Sequence, residues 1–174
     1  MKVLKRVIKI TLAIVVVAGV LITAACSSGG GKGARIDEPA PGFTLKDLDG
    51  RSVSLSSFKG KTVFINFWDS SFEYSTDDIA FLQELHEEWS QTGEIVLLTI
   101  DTEEDADTIK AFMEKNNYSF PVLLDRQYEV AGKYNVNYIP TTLMIDKEGR
   151  FKFKVEGPFR NRAAFEKQIA GYLP

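Results

Sequence analysis

The sequence predicts one α/β domain, a mixed β-sheet with helices on both faces, behind a short membrane-directed segment. Three observations predict it. Thr62–Trp68 (TVFINFW) and Glu94–Asp101 (EIVLLTID) are nearly continuous apolar runs, the pattern of central strands covered on both faces. Between them, Ile79, Leu82, Leu85, His86 and Trp89 fall on one stripe at helical spacing. Near the end, two alternating runs around a tight turn precede a final amphipathic helix, so antiparallel strands join a strand–helix–strand unit in one sheet.

The elements follow in order. Phe43–Leu45 and Ser52–Leu55 flank Asp47-Leu48-Asp49-Gly50, and Asp-Gly between alternating runs signals a hairpin. Phe58-Lys59-Gly60-Lys61 turns into the first central strand, whose one polar interruption is Asn66. Ser75, Thr76 and Asp77 are suited to cap a helix running to about Ser90, which Gln91-Thr92-Gly93 stops. Asp105 to Asn116 reads as a helix with Ile109, Phe112 and Met113 inward, closed by Asn116-Asn117. Phe120–Leu124 is a short strand in which Pro121 fits an edge or a strand start. Tyr128–Tyr134 is a short helix. Thr141–Ile145 and Arg150–Glu156 form the late hairpin across Asp146-Lys147-Glu148-Gly149, and Asn161–Leu173 is the last helix, with Phe165, Ile169 and Leu173 on one face.

Residues 1–25 stand apart. Lys2, Lys5, Arg6 and Lys9 are followed by a charge-free stretch from Ile10 to Ala25, short of the ~20 residues of a comfortable membrane span. A basic start, an apolar middle and the small residues Thr23, Ala24 and Ala25 match a secretory signal. That ending, immediately before Cys26, resembles a bacterial lipoprotein signal, in which the cysteine becomes the lipidated N-terminus. Thr23 stands where such signals usually carry Leu, Val or Ile. The other reading is an uncleaved membrane anchor, and both place the body outside the cytoplasm, because a basic N-terminus stays inside. The expected organisation is a signal peptide or anchor over 1–25, a flexible Ser/Gly-rich linker over 26–35 and a folded domain over 36–174.

Charge and cysteine content exclude several classes of function. Beyond the leading segment, 17 bases face 24 acids, so residues 26–174 carry −7. An acidic body repels phosphate backbones, which argues against nucleic-acid binding, and anionic lipid surfaces as well. Cys26 is the only cysteine, so the body has no intramolecular disulfide, no thiolate nucleophile and no Cys-ligated metal.

In order along the chain come Pro41-Gly42-Phe43-Thr44-Leu45, Asp49-Gly50, Phe58-Lys59-Gly60-Lys61, Val63-Phe64-Ile65-Asn66-Phe67-Trp68, Phe120-Pro121-Val122-Leu123-Leu124-Asp125 and Tyr138-Ile139-Pro140-Thr141-Thr142. Over residues 36–173 this series resembles the TlpA-like, redoxin (AhpC/TSA-like) branch of the thioredoxin superfamily. The resemblance implies a thioredoxin-like three-layer α/β/α fold: a mixed central sheet, an N-terminal β-hairpin, a βα insertion after the second core strand and a cis Ile139–Pro140 peptide. It also implies a Cys-x-x-Cys four residues past the tryptophan. Here Phe72 stands at the position of the exposed nucleophilic cysteine and Ser75 at that of the resolving one. Disulfide exchange needs an attacking thiolate, so neither position supports it. Cysteine-dependent peroxidase chemistry and a Cys/His copper site fail for want of the same sulfur. No cofactor is expected.

Two constellations remain. Trp68, Phe72, Tyr74, Tyr138, Ile139 and Pro140 surround the position of the missing pair. One reading is an aromatic shelf that holds an extended peptide by strand-like pairing; the other is that Phe72 folds inward as a plug. Asp69, Glu73 and Asp77, with Asp78, are weak candidates for a hard-cation site or a contact for a basic partner, although acids in a first helical turn also suit the helix dipole. The second acidic run, Glu103, Glu104, Asp105 and Asp107, reads as a solvated loop and helix start. His86, the lone histidine, reads as a boundary residue on its helix rather than a metal ligand. Ser75 with Asp78 or His86 is a poor hydrolase set, since no Gly-x-Ser-x-Gly elbow exists. The leading expectation is a redox-inactive, envelope-tethered binding or assembly module for an envelope protein or extended peptide. The alternatives are an accessory component of an extracytoplasmic thiol–disulfide or peroxide pathway with cysteines supplied by a partner, and a cation-dependent module.

Overall fold

The sheet is built outward from the two apolar runs. In the computed structural model β3 (Thr62–Trp68) is buried at every residue and pairs in parallel with β4 (Ile95–Asp101), from Thr62 opposite Ile95 to Trp68 opposite Asp101. The structure describes residues 33–71, 73–159 and 161–172, with the backbone alone over 73–78. The leading segment, Cys26 and Phe72 lie outside the described residues.

On the other side of β3 lies β6 (Thr141–Ile145), antiparallel, followed by β7 (Phe151–Glu156). Asn66, the polar interruption of β3, donates to Thr142 Oγ1 at 2.9 Å from the directly opposite position on β6, while its Oδ1 is buried without a partner. The short β5 (Val122–Leu124) pairs in parallel with β4 and antiparallel with β1 (Thr44–Asp47), which pairs in turn with β2 (Ser52–Ser54). The order is therefore β2-β1-β5-β4-β3-β6-β7. Pro121 sits at a strand start, and β5 is interior rather than an edge. At the β1–β2 turn, Asp47 Oδ1 accepts from the N–H groups of Asp49 and Arg51, both at 2.9 Å, while Gly50 takes φ +79°, a conformation that favours glycine.

Alternation along β3 sends Phe64 and Trp68 to one face and Val63, Ile65 and Phe67 to the other. The first face is covered by α1 (Glu73–Thr92), α2 (Ala106–Asn116) and α4 (Arg162–Ile169). Phe165 of α4 is the hub there, with ring centroids 5.8 Å from Phe64, 5.6 Å from Phe81, 6.2 Å from Trp89 and 4.9 Å from Phe159. The second face packs on α3 (Glu129–Lys133) through Val130, Ala131 and Tyr134, whose hydroxyl donates to Pro41 O at 2.7 Å. This is the three-layer α/β/α arrangement expected, with α2 and β5 as the inserted unit.

Local signals set most helix ends. Asp105 caps α2 by accepting from Thr108 N, and Asn161 caps α4 by accepting from Ala164 N. Asp125 is 2 % exposed and accepts from the N–H groups of Glu129, Val130 and Ala131, so one carboxylate organises the first turn of α3. α1 starts earlier than its expected cap: the turn in which Asp69 Oδ1 accepts from Ser71 N leads to a helix that begins at Glu73, which puts Ser75, Thr76 and Asp77 inside it. Ala34 is joined to the domain through its N–H, which donates to Lys133 O.

Candidate functional site at the carboxyl ends of the central strands

The two segments that the sequence placed around the missing cysteine pair do come together. Phe67 stands opposite Thr141, so continuing the antiparallel register brings the Trp68–Ser71 turn beside Ile139–Pro140. The Ile139–Pro140 peptide is cis. Tyr138 is 67 % exposed, Ile139 is half-buried and Pro140 is buried. Thr141 Oγ1 donates to Tyr138 O at 2.6 Å and ties the loop to the start of β6. Among the described residues neither the N–H nor the C=O of Ile139 enters a hydrogen bond.

Trp68 does not share that surface. It is 0 % exposed, with its ring 5.5 Å from Phe112 and 6.2 Å from Phe120. A side chain on the α1/α2 face at the end of a fully covered strand packs into the core, which removes Trp68 from the expected shelf. Its Nε1 is buried without a hydrogen-bond partner. Phe72 lies outside the described residues. Glu73, Tyr74, Ser75, Asp77 and Asp78 are placed by backbone only, in the first two turns of α1. His86 is half-buried farther along α1, where burial lowers its pKa and the Glu87 charge opposes that change. It borders a groove of about 920 Å³ with Asp49, Lys110 and Tyr118, which touches neither the cis-proline loop nor the strand ends.

A second cluster lies at the same end of the sheet, and local pattern did not reveal it. Carboxylate oxygens of Asp69, Asp101 and Glu104 all lie within 4.8 Å of one another. Asp69 is 1 % exposed and Asp101 0 %. Asp101 Oδ1 accepts from Glu103 N at 3.0 Å and Glu104 N at 2.7 Å, whereas Oδ2 is buried with no partner. Glu104 grips the turn after β3: Oε2 accepts from Ser70 N at 3.0 Å and Oε1 from Ser70 Oγ at 2.8 Å. Burial pushes the Asp101 carboxyl up to about 6; N–H bonds from Glu104 and Glu103 oppose this, and the Glu104 and Asp69 charges add to it. Glu104 is thus half-buried and structural rather than solvated, while Glu103, Asp105 and Asp107 of the same run are exposed as expected. Of the three acids expected to converge, Asp69 takes part, joined by residues from the next strand end. The one available signal was an acid closing an apolar strand.

Residues 36–154 match the AhpC/TSA family. The chain belongs to the AhpC/TSA family. Among its relatives, the thiol-disulfide oxidoreductase ResA of Bacillus anthracis is 30% identical over 139 residues, 80% of this chain and 77% of that one. ResA of Geobacillus kaustophilus (strain HTA426) is 34% identical over 122 residues, 70% of each. A thioredoxin-family thiol:disulfide interchange protein of Chlorobium tepidum TLS superposes with TM-score 0.70 at 25% identity, covering 81% of this chain and 99% of that one. The exposed lipoprotein thioredoxin of Streptococcus pneumoniae strain TIGR4 gives TM-score 0.65 at 27% identity, covering 75% and 99%. Set among AhpC/TSA relatives named for thiol–disulfide chemistry, this chain has no cysteine from residue 27 to 174. No helix of the described residues is long and apolar enough to cross a membrane.

Proposed function

We propose that this protein is an envelope-tethered, redox-inactive member of its family that acts as a binding or assembly module, holding an extended peptide or envelope protein at the cis-proline loop. One observation carries the reading: the scaffold is kept through Ile139–Pro140 while the folded body contains no sulfur able to enter a disulfide. The exposed ring of Tyr138 and the N–H and C=O of Ile139, unpaired among the described residues, support it, because an extended chain can add main-chain hydrogen bonds there while an aromatic side chain supplies apolar contact. Tethering rests on the basic and apolar leader that ends at Cys26, and the likeness to an exposed lipoprotein thioredoxin agrees with it.

The test has two arms. Purified protein assayed for insulin-disulfide reduction with dithiothreitol should match the blank; turnover that survives further purification overturns the reading. An array of extended peptides should yield binders to the wild type that Tyr138→Asp loses while keeping its thermal transition, and binders indifferent to that change would move the site elsewhere. A second reading, favoured by the names of the ResA relatives, is an accessory role in an envelope thiol–disulfide pathway whose cysteines belong to a partner. In that case capture should be non-covalent and insensitive to thiol-blocking of this chain.

A further inference from the structure

We propose that Asp69, Asp101 and Glu104 form a binding site for a hard divalent cation, calcium foremost, at the carboxyl ends of β3 and β4. Three acids on two strand ends are not a site by themselves. What marks this group is the orphaned oxygen: Asp101 Oδ1 is committed to the N–H groups of Glu103 and Glu104, and Oδ2, on a residue 0 % exposed, has nothing to accept from. A native structure rarely leaves such an acceptor empty. Among the described residues no Lys or Arg pairs with any of the three carboxylates; Lys110 and Arg51 close on Asp49 instead. Crowded, buried negative charge without a counter-charge is costly, and a cation at the centre removes that cost.

The donor set selects the ion. All donors are oxygens, His86 lies elsewhere on α1 and no cysteine occurs from residue 27 to 174, which disfavours soft and borderline metals. Oxygens that all lie within 4.8 Å of one another can reach a single ion with bonds of about 2.3–2.6 Å. Magnesium keeps several waters and is usually held by one or two carboxylates, so three converging protein carboxylates suit it less well. With three carboxylates and water completing the shell, affinity should fall in the range of roughly 0.1–1 mM typical of extracellular calcium modules. Because Glu104 also holds Ser70, an ion here would fasten the turn after β3 to the loop after β4.

The test uses the full chain in detergent, stripped with EDTA and titrated calorimetrically with calcium, magnesium and manganese chlorides. Calcium should give one saturable event and raise the thermal midpoint. Asp101→Asn and Asp69→Asn should each weaken it at least tenfold and abolish the midpoint shift, whereas Glu103→Gln, an exposed neighbour, should leave both unchanged. Asp101→Asn should remain folded in EDTA, judged by circular dichroism; if it does not, Glu104→Gln and Asp69→Asn carry the same comparison. The inference is overturned if none of the three ions gives saturable heat or a midpoint shift, or if the Asn variants bind as the wild type does.

Discussion

Replacing Asp101 by Asn in metal-free buffer should stabilise the protein at neutral pH and not at pH 4. Asp101 is wholly buried, and burial raises its pKa from 3.8 to about 6, helped by Glu104 and Asp69 and opposed by two backbone N–H bonds. In the unfolded chain the same group titrates near ~3.9. Between these values the native state holds a proton that the unfolded state has released. Stability is therefore highest, as far as this group is concerned, below about pH 4; it declines as pH rises and is fully reduced above the folded pKa. At about 1.4 kcal/mol per pH unit, the reduction amounts to about 3 kcal/mol. Asparagine keeps the oxygen that accepts from Glu103 and Glu104, cannot ionise, and presents its amide hydrogens to Asp69 and Glu104. Urea unfolding of both proteins with EDTA at pH 4 and pH 7.5 measures the effect as a double difference. The variant's advantage should grow by about 2 kcal/mol between the two pH values, because the unfolded carboxyl is already half ionised at pH 4. An advantage that stays flat, or a deficit that deepens toward neutrality, would show that burial does not hold the proton on Asp101.

Three further outcomes are expected. Asp125→Ala removes the acceptor of three N–H groups at the start of α3 and should cost about 2–4 kcal/mol in urea unfolding, with little recovered by Asp125→Ser. Phe165→Ala empties the centre of the α1/α4 aromatic cluster and should cost about 3–5 kcal/mol, while Phe165→Leu should recover much of it. Arg162 bridges Glu84, Glu88 and Glu166, a set of partly exposed contacts, so Arg162→Ala should cost about 1 kcal/mol or less and the difference should shrink in 1 M salt.

Residues that report on their own neighbourhood were the legible part of this sequence. TVFINFW had to be a covered strand because Asn66 is the one polar side chain after Thr62 and leaves no face for water, and Asp105 and Asn161 announced helix starts through side chains that cap locally. The cis peptide and the nearness of its loop to the end of β3 followed from the family resemblance, and the structure agrees. What pattern did not disclose depends on pairing between distant segments. Nothing around Pro121 indicates that β1 will close against β5 and turn an apparent edge into an interior strand. Trp68 read as a surface contact because sequence shows its place at a strand end but not the rings of Phe112 and Phe120 waiting for it. Glu104 read as solvated because its partner, Ser70, lies 34 residues earlier across a parallel strand pair.

The union of β1 with β5 has a bearing on how the chain is made. Lys46 finds Leu124 only after 77 intervening residues have been synthesised, so until then the first hairpin offers an open backbone row with no sheet to join. A ribosome-bound chain stopped before Val122 would carry raw edges on β1, on β4 and on β3, the last still waiting for β6. Nascent chains truncated at successive lengths should therefore resist protease only once the 122–124 segment has emerged.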